Sequence, residues 1–135
     1  MNSRPGAVTF VGIMMFIGAG AYLAGAIVNL FLWLRPDQVQ TWYGQPISDW
    51  YWVINGGLNL VLVVGFAWIG RMALAGDYAA SVTVNMLAVI NLVFAFFSLL
   101  HGYGWVALAV SIIVLIANNT AAAQTYYRRN LPAAA

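Results

Sequence analysis

Eight charged side chains divide this chain into long stretches that carry no charge at all: Arg4, Arg35, Arg71, Arg128, Arg129, Asp37, Asp49 and Asp77. Between them lie 30 uncharged residues from Pro5 to Leu34, 21 from Trp50 to Gly70, and 50 from Tyr78 to Tyr127 with His101 taken as neutral. The hydrocarbon core of a bilayer is about 30 Å thick and takes about 20 helical residues to cross. The first two stretches each hold one crossing. The third would make a helix of about 75 Å at ~1.5 Å per residue, too long for one. It is interrupted at His101-Gly102-Tyr103-Gly104, where two glycines in four residues favour a tight turn.

The division predicts four helices, at about 8–34, 50–70, 79–100 and 105–127. They form an all-α membrane protein, a single domain over 1–135 with four transmembrane helices in an antiparallel bundle. Continuous apolar runs favour helices over a membrane barrel, which would alternate over segments of ~10 residues. Composition agrees. Charged residues make up 6% of the chain and apolar ones 64%, against a charged share of about 25% in soluble domains. An aqueous globule is thereby excluded. There is no Cys, which excludes disulfides, thiolate metal sites, a Cys nucleophile and dithiol redox chemistry. A net charge of +2 is too small to suggest nucleic acid as a partner.

Local signals mark the helix ends. Ser3 and Pro5 suit the first start, and Arg35-Pro36 ends that helix, because the residue before proline is pushed out of the α region. Asp49 and Asp77 precede helices and are placed to cap them at the positive end of the dipole. Arg128 and Arg129 fall in the last turn of the fourth, with Pro132 just beyond. Within the first loop, Pro36-Asp37 reads as a helix start and Gly44 as a stop. Val39, Trp42 and Tyr43 lie at i, i+3, i+4. A short helix lying in the membrane interface, with Trp42 inserted, is expected there. A cleaved signal peptide with Ala19-Gly20-Ala21 as its cleavage site competes for the first run. The run continues to Leu34, so an uncleaved span is the expectation.

Four crossings put both ends of the chain on one side. That side holds Arg4, Arg71, Arg128 and Arg129, and the other holds Arg35 alone. The positive-inside bias therefore predicts cytoplasmic termini in a multi-pass membrane protein, with the 35–49 and 101–104 loops outside. Trp33, Trp42, Trp50, Trp52 and Trp105 then gather near the outer interface with Tyr43, Tyr51 and Tyr103, while Trp68, Tyr78, Tyr126 and Tyr127 lie near the inner one. The outer cluster reads as an anchoring belt or as a docking surface for a partner or a pigment-like ligand, with Trp42, Tyr43 and Trp105 as contacts.

No Asp, Glu, Arg or Lys lies near the middle of a span. Proton relays and ion-coupled carriers place ionisable groups at that depth, so a self-sufficient pump is not expected. The polar groups that remain are neutral: Asn29, Asn55, Asn59, Asn85, Asn91, Asn118 and Asn119, with Ser98 and Ser111. Asn29, Asn55, Asn59, Asn91, Ser98 and Ser111 map to the outer half and are expected to form one polar layer. It has a structural reading, interhelical hydrogen bonding, and a functional one, a pocket for a polar headgroup, a quinone carbonyl or a line of waters. In the second reading Asn29, Asn55, Asn59 and Asn91 bind the polar end of a lipophilic ligand, and Trp50 and Trp52 stack on the rest. Small residues on one stripe (Gly18, Ala21, Gly25, with Asn29) and Gly57 with Gly65 read as packing seams. His101, alone in its turn, reads as a solvated histidine rather than a haem or metal ligand, and no metal or cofactor is expected. Asn29-Leu30-Phe31-Leu32, Asn59-Leu60-Val61-Leu62 and Asn91-Leu92-Val93-Phe94 are alike, but the match is weak in so apolar a chain.

Three motifs carry a resemblance. They are Gly12-Ile13-Met14-Met15-Phe16-Ile17-Gly18 in the first span, Trp52-Val53-Ile54-Asn55-Gly56-Gly57 in the second, and His101-Gly102-Tyr103-Gly104-Trp105 between the last two. Together they resemble an uncharacterised family of small four-span bacterial, often actinobacterial, membrane proteins over roughly 8–125. The resemblance implies the four-span layout and no catalytic residues. The functional expectation is a non-catalytic accessory subunit of a larger inner-membrane complex, not an enzyme. Its partners would be the lipid bilayer and other membrane protein subunits. The alternative is a binding protein for a lipid, quinone or carotenoid, and a small pore built by oligomerisation comes third.

Overall fold

A computed structural model of the chain describes residues 3–131. Among them the secondary structure is entirely helical: α1 (Gly6–Trp33), α2 (Pro36–Tyr43), α3 (Asp49–Leu74), α4 (Tyr78–Leu99), α5 (Trp105–Asn118) and α6 (Ala121–Arg129). Three of these, α1, α3 and α4, are long and apolar enough to cross a membrane. The fourth expected span is not one straight helix. α5 and α6 meet at a break and are bent by 59°. The cause is local. Thr120 is extended, and its hydroxyl accepts the Ala123 N–H (3.3 Å) as the N-cap of a new helix, so the chain restarts rather than continues.

The chain divides into two compact units, one of residues up to Met15 with Trp68 onward, the other Phe16–Ala67. In the second unit α1 and α3 approach through small residues. A side chain at Gly18 would strike the Phe66 ring, one at Gly25 would touch Asn59, and one at Gly56 would come within 2.9 Å of Asn29 Nδ2. Early residues of α1 thus meet late residues of α3, the order of an antiparallel pair. Gly57 and Gly65 have nothing within 4 Å and form no seam. Gly56 does that work, and Ala21 of the expected stripe is exposed. The α2 helix forms where it is expected, and Gly44 closes it at φ 73°. Leu32, Val39 and Trp52 form the core beneath it, with Ile47 alongside. Asp49 does not cap α3. It is the first helical residue, the Ser48 carbonyl accepts the Tyr51 N–H (3.0 Å), and the Asp49 carboxylate accepts the Trp33 indole N–H (3.2 Å).

In the first unit α4 packs on α5. Ser81 pairs with Asn118 and Asn91 with Ser111, again an antiparallel order. Asp77 caps α4 as expected, its carboxylate accepting the Ala80 N–H (3.2 Å). A small core of Val8, Ala123 and Tyr127, flanked by Ala7, Tyr78 and Tyr126, holds α6 to the start of α1. Arg128 and Arg129 occupy the last turn of α6. Pro132 lies outside the described residues.

The α4–α5 turn uses Gly102 at φ 83° and Gly104 at φ 103°. A Cβ at Gly102 would meet open space, whereas one at Gly104 would come within 2.7 Å of the Ala95 carbonyl oxygen and 2.8 Å of Ser98 Cβ. Gly102→Ala is therefore expected to cost about 1–2 kcal/mol from the left-handed backbone alone. Gly104→Ala adds a backbone clash and costs more, read as a larger drop in unfolding temperature in detergent.

Candidate functional site

The expected polar residues are brought together in two groups, one in each unit. In the Phe16–Ala67 unit, Asn29 is buried and its Nδ2 donates to the Trp52 carbonyl. That carbonyl lies in the first turns of α3, so the bond ties the C-terminal end of α1 to α3 where Gly56 permits close approach. One turn apart on α3, Asn59 Nδ2 donates to Asn55 Oδ1 (3.0 Å). This uses one donor and one acceptor of a pair that holds more of both. Among the described residues, Asn55 Nδ2 and Asn59 Oδ1 make no further hydrogen bond.

The two tryptophans expected to stack on a ligand differ. Trp50 is 72% exposed, but Trp52 is 4% exposed, a core residue packed on Leu32 and Val39. The Trp52 ring meets Tyr51 edge-on at 5.0 Å and Tyr43 at 6.4 Å. It is a structural anchor for α2, and Trp50 is the ring that remains open. Trp42, Tyr43 and Trp105 are exposed as the docking or belt reading requires. The Trp42 ring lies 6.5 Å from Phe31, which also carries the Arg35 guanidinium over its face at 5.7 Å.

In the other unit, Asn91 Nδ2 donates to Ser111 Oγ (2.6 Å), and that hydroxyl donates to the Ala107 carbonyl (2.8 Å). Ser98 bonds within its own helix, to Phe94. His101 is exposed, with Nδ1 3.3 Å from the Phe97 carbonyl. No group of three or more His, Cys, Asp or Glu that could hold a metal ion occurs among the described residues.

The largest polar cluster was not singled out by the sequence as a site. It centres on Asn118, which is fully buried at the last turn of α5. Its Nδ2 donates to the Ser81 carbonyl (2.9 Å) and to Asn85 Oδ1 (2.9 Å). Its Oδ1 accepts from the Tyr127 hydroxyl (3.0 Å), and its carbonyl accepts from Gln124 Nε2 (2.8 Å). Beside it Asn85 and Asn119 exchange two amide bonds, at 3.1 and 2.8 Å. The cluster thus joins α4, α5 and α6 at the break. All its members are uncharged side chains, and among the described residues no buried side-chain polar atom is left without a partner, so its bonds hold the geometry of the break. The signal for it was the run Asn118-Asn119-Thr120 followed by Gln124, with Ser81 and Asn85 one turn apart on α4.

Comparison with protein-family models, curated proteins and solved structures finds no match for the chain. The functional reading rests on the residues themselves.

The two clusters should respond differently to truncation. Asn118→Ala strands several buried partners and is expected to cost about 2–3 kcal/mol. Asn59→Ala removes one bond within a helix and is expected to cost about 0.6 kcal/mol. Denaturant unfolding in micelles, followed by tryptophan fluorescence, reads both.

Proposed function

We propose that this chain is a non-catalytic accessory subunit of a larger bacterial inner-membrane complex. It crosses the bilayer four times, and the bent α5–α6 pair makes the fourth crossing. Both termini are cytoplasmic, on the side of Arg4, Arg71, Arg128 and Arg129. One observation supports the accessory role above others. Asn29, Asn91 and Asn118, polar side chains on apolar helices, are spent on binding helix to helix. Exposed aromatic residues such as Trp42, Trp50 and Trp105 remain on the outside. The chain offers packing surface rather than chemistry. Such a subunit would contribute lipid sealing and contacts to its neighbours.

The unspent donor of Asn55 and acceptor of Asn59 favour a second reading, a site for the polar end of a lipid, quinone or carotenoid, with Trp50 beside it. Native purification in mild detergent followed by mass spectrometry separates the two. A co-migrating membrane protein is expected on the accessory reading. A monomer that retains a small lipophilic molecule, lost in the Asn55→Ala, Asn59→Ala double variant, supports the other, and a bare monomer opposes both.

The topology has its own test, made simple by the absence of native Cys. A membrane-impermeant thiol reagent applied to intact cells should label Gln40→Cys on the exposed face of α2. It should leave Ala75→Cys, in the α3–α4 turn, unlabelled until the membrane is opened. The reverse pattern rejects the orientation.

A further inference from the structure

The start of α2 leaves two opposite charges unused. The Phe16–Ala67 unit carries Arg35, Asp37 and Asp49, one cation against two anions. The Asp49 carboxylate accepts the Trp33 indole N–H (3.2 Å). Arg35 and Asp37 are both exposed and flank Pro36, yet among the described residues no ion pair joins them to each other or to any other group. The Arg35 side chain goes elsewhere. Its guanidinium lies over the Phe31 ring at the end of α1, 5.7 Å from the centroid. The ring quadrupole holds a cation there, and it takes up none of the five N–H donors of the planar fork. Among the described residues none of those donors is hydrogen-bonded.

The ring beneath Arg35 is fixed in turn. Trp42 lies 6.5 Å from Phe31, tilted by 39°. One turn before Trp42, Val39 is buried against Leu32 and Trp52, which anchors α2 to the end of α1. Trp42 is exposed, and its indole N–H also has no partner among the described residues. This platform stands where the uncharged run from Pro5 to Leu34 gives way to the first charge. On the membrane reading that is the headgroup zone, which indole rings favour. Lipid phosphates there match a free guanidinium fork. A phosphate alone would also bring an anion close to Asp37. A headgroup that carries a primary ammonium beside its phosphate turns that repulsion into an attraction.

We propose that Arg35, held on the Phe31–Trp42 platform, and Asp37 together recognise a zwitterionic phospholipid headgroup, with its phosphate at Arg35 and its ammonium at Asp37. The proposal rests on the membrane reading above. It can fail while that reading stands, because neither thiol labelling nor co-purification depends on Arg35 or Asp37.

The test uses the full chain in detergent micelles, titrated with three lipids of identical acyl chains. Phosphatidylethanolamine carries both headgroup charges, phosphatidylglycerol the phosphate alone, and diacylglycerol neither. Native mass spectrometry reads the bound fraction. Phosphatidylethanolamine is expected to bind about tenfold better than diacylglycerol, as a charge-assisted hydrogen bond allows. It should bind about threefold better than phosphatidylglycerol, as an exposed ion pair allows. Arg35→Gln should bring both phospholipids down to the level of diacylglycerol. Asp37→Asn should bring phosphatidylethanolamine down to the level of phosphatidylglycerol. Phe31→Leu keeps every charge but removes the ring, and should weaken both phospholipids. Arg71→Gln removes the same charge from an exposed position in the other unit and should change none of these ratios. Diacylglycerol binding, unchanged throughout, reports that each variant is folded. Equal binding of phosphatidylethanolamine and diacylglycerol, a preference for phosphatidylglycerol over phosphatidylethanolamine, or equal losses in Arg35→Gln and Arg71→Gln would overturn the proposal.

Discussion

An amide group within hydrocarbon can send its hydrogen bonds only to other groups of the protein. For helices long and apolar enough to cross a membrane, that constraint bears on both units. A single interhelical side-chain bond in a membrane is worth only about 0.6 kcal/mol on average, so no isolated pair dominates. Asn118 is different in kind because it is bonded on all sides at once, to α4 through Ser81 and Asn85, and to α6 through Tyr127 and Gln124. Ending a helix at that point frees carbonyls that would otherwise be expensive. The Gln124 amide takes the Asn118 carbonyl, and the Asn119 N–H and side chain both return to the Leu115 carbonyl. The bend and the network are thus one feature, in which the network satisfies what the bend exposes.

The α1–α3 pair solves the same problem with fewer polar groups. Here the close approach is made by absent side chains, at Gly18, Gly25 and Gly56. Dispersion between backbones and rings then supplies the contact, as Phe66 does against Gly18 and against the Tyr22 ring at 5.2 Å. One well-placed amide, Asn29, fixes the register by reaching the Trp52 carbonyl. The outward residues of α3, including Ile54, Val61, Val64 and Trp68, are left exposed. In water such a face would be an aggregation hazard, but in lipid it is simply matched to its solvent.

The elements that could be read from the chain are those with strong local punctuation. Pro36 and Gly44 mark a helix whose start needs no N–H and whose end needs positive φ, and both requirements are met where expected. The glycine turn at 102–104 and the Asp77 cap are of the same type. The α5–α6 break was missed because Asn118-Asn119-Thr120 lies inside a run free of charge, glycine and proline, and apolarity alone reads through it. A hydroxyl followed by three alanines is a capping signal that the surrounding hydrophobicity masks. Site residues were less legible. Periodicity places Asn29, Asn55 and Asn59 on helices, but it cannot tell which glycine faces a partner helix. Gly57 and Gly56 are adjacent in sequence and lie about 100° apart around the helix. The burial of Trp52 was illegible for the same reason, since it depends on α2 folding over it.

The break also changes how a fourth crossing would be built. At ~1.5 Å per residue, α5 with 14 residues rises about 21 Å, short of a ~30 Å hydrocarbon layer. The nine residues of α6 add about 13 Å along their own axis, but inclined at 59° they advance only about 7 Å along the axis of α5. The sum, about 28 Å, is close to one bilayer. A straight helix of as many residues would run about 35 Å, and in a four-crossing arrangement it would carry Arg128 and Arg129 further beyond the hydrocarbon layer. On that reading the bend would bring Tyr126, Arg128 and Arg129 nearer headgroup depth and lay α6 obliquely. An oblique helix can present one flank to the core, where Ala123 and Tyr127 meet Val8, and leave the other, with Thr125 and Arg129, facing away from that core. On a four-crossing reading, the buried Asn118 network therefore decides which face of α6 the lipid headgroups meet.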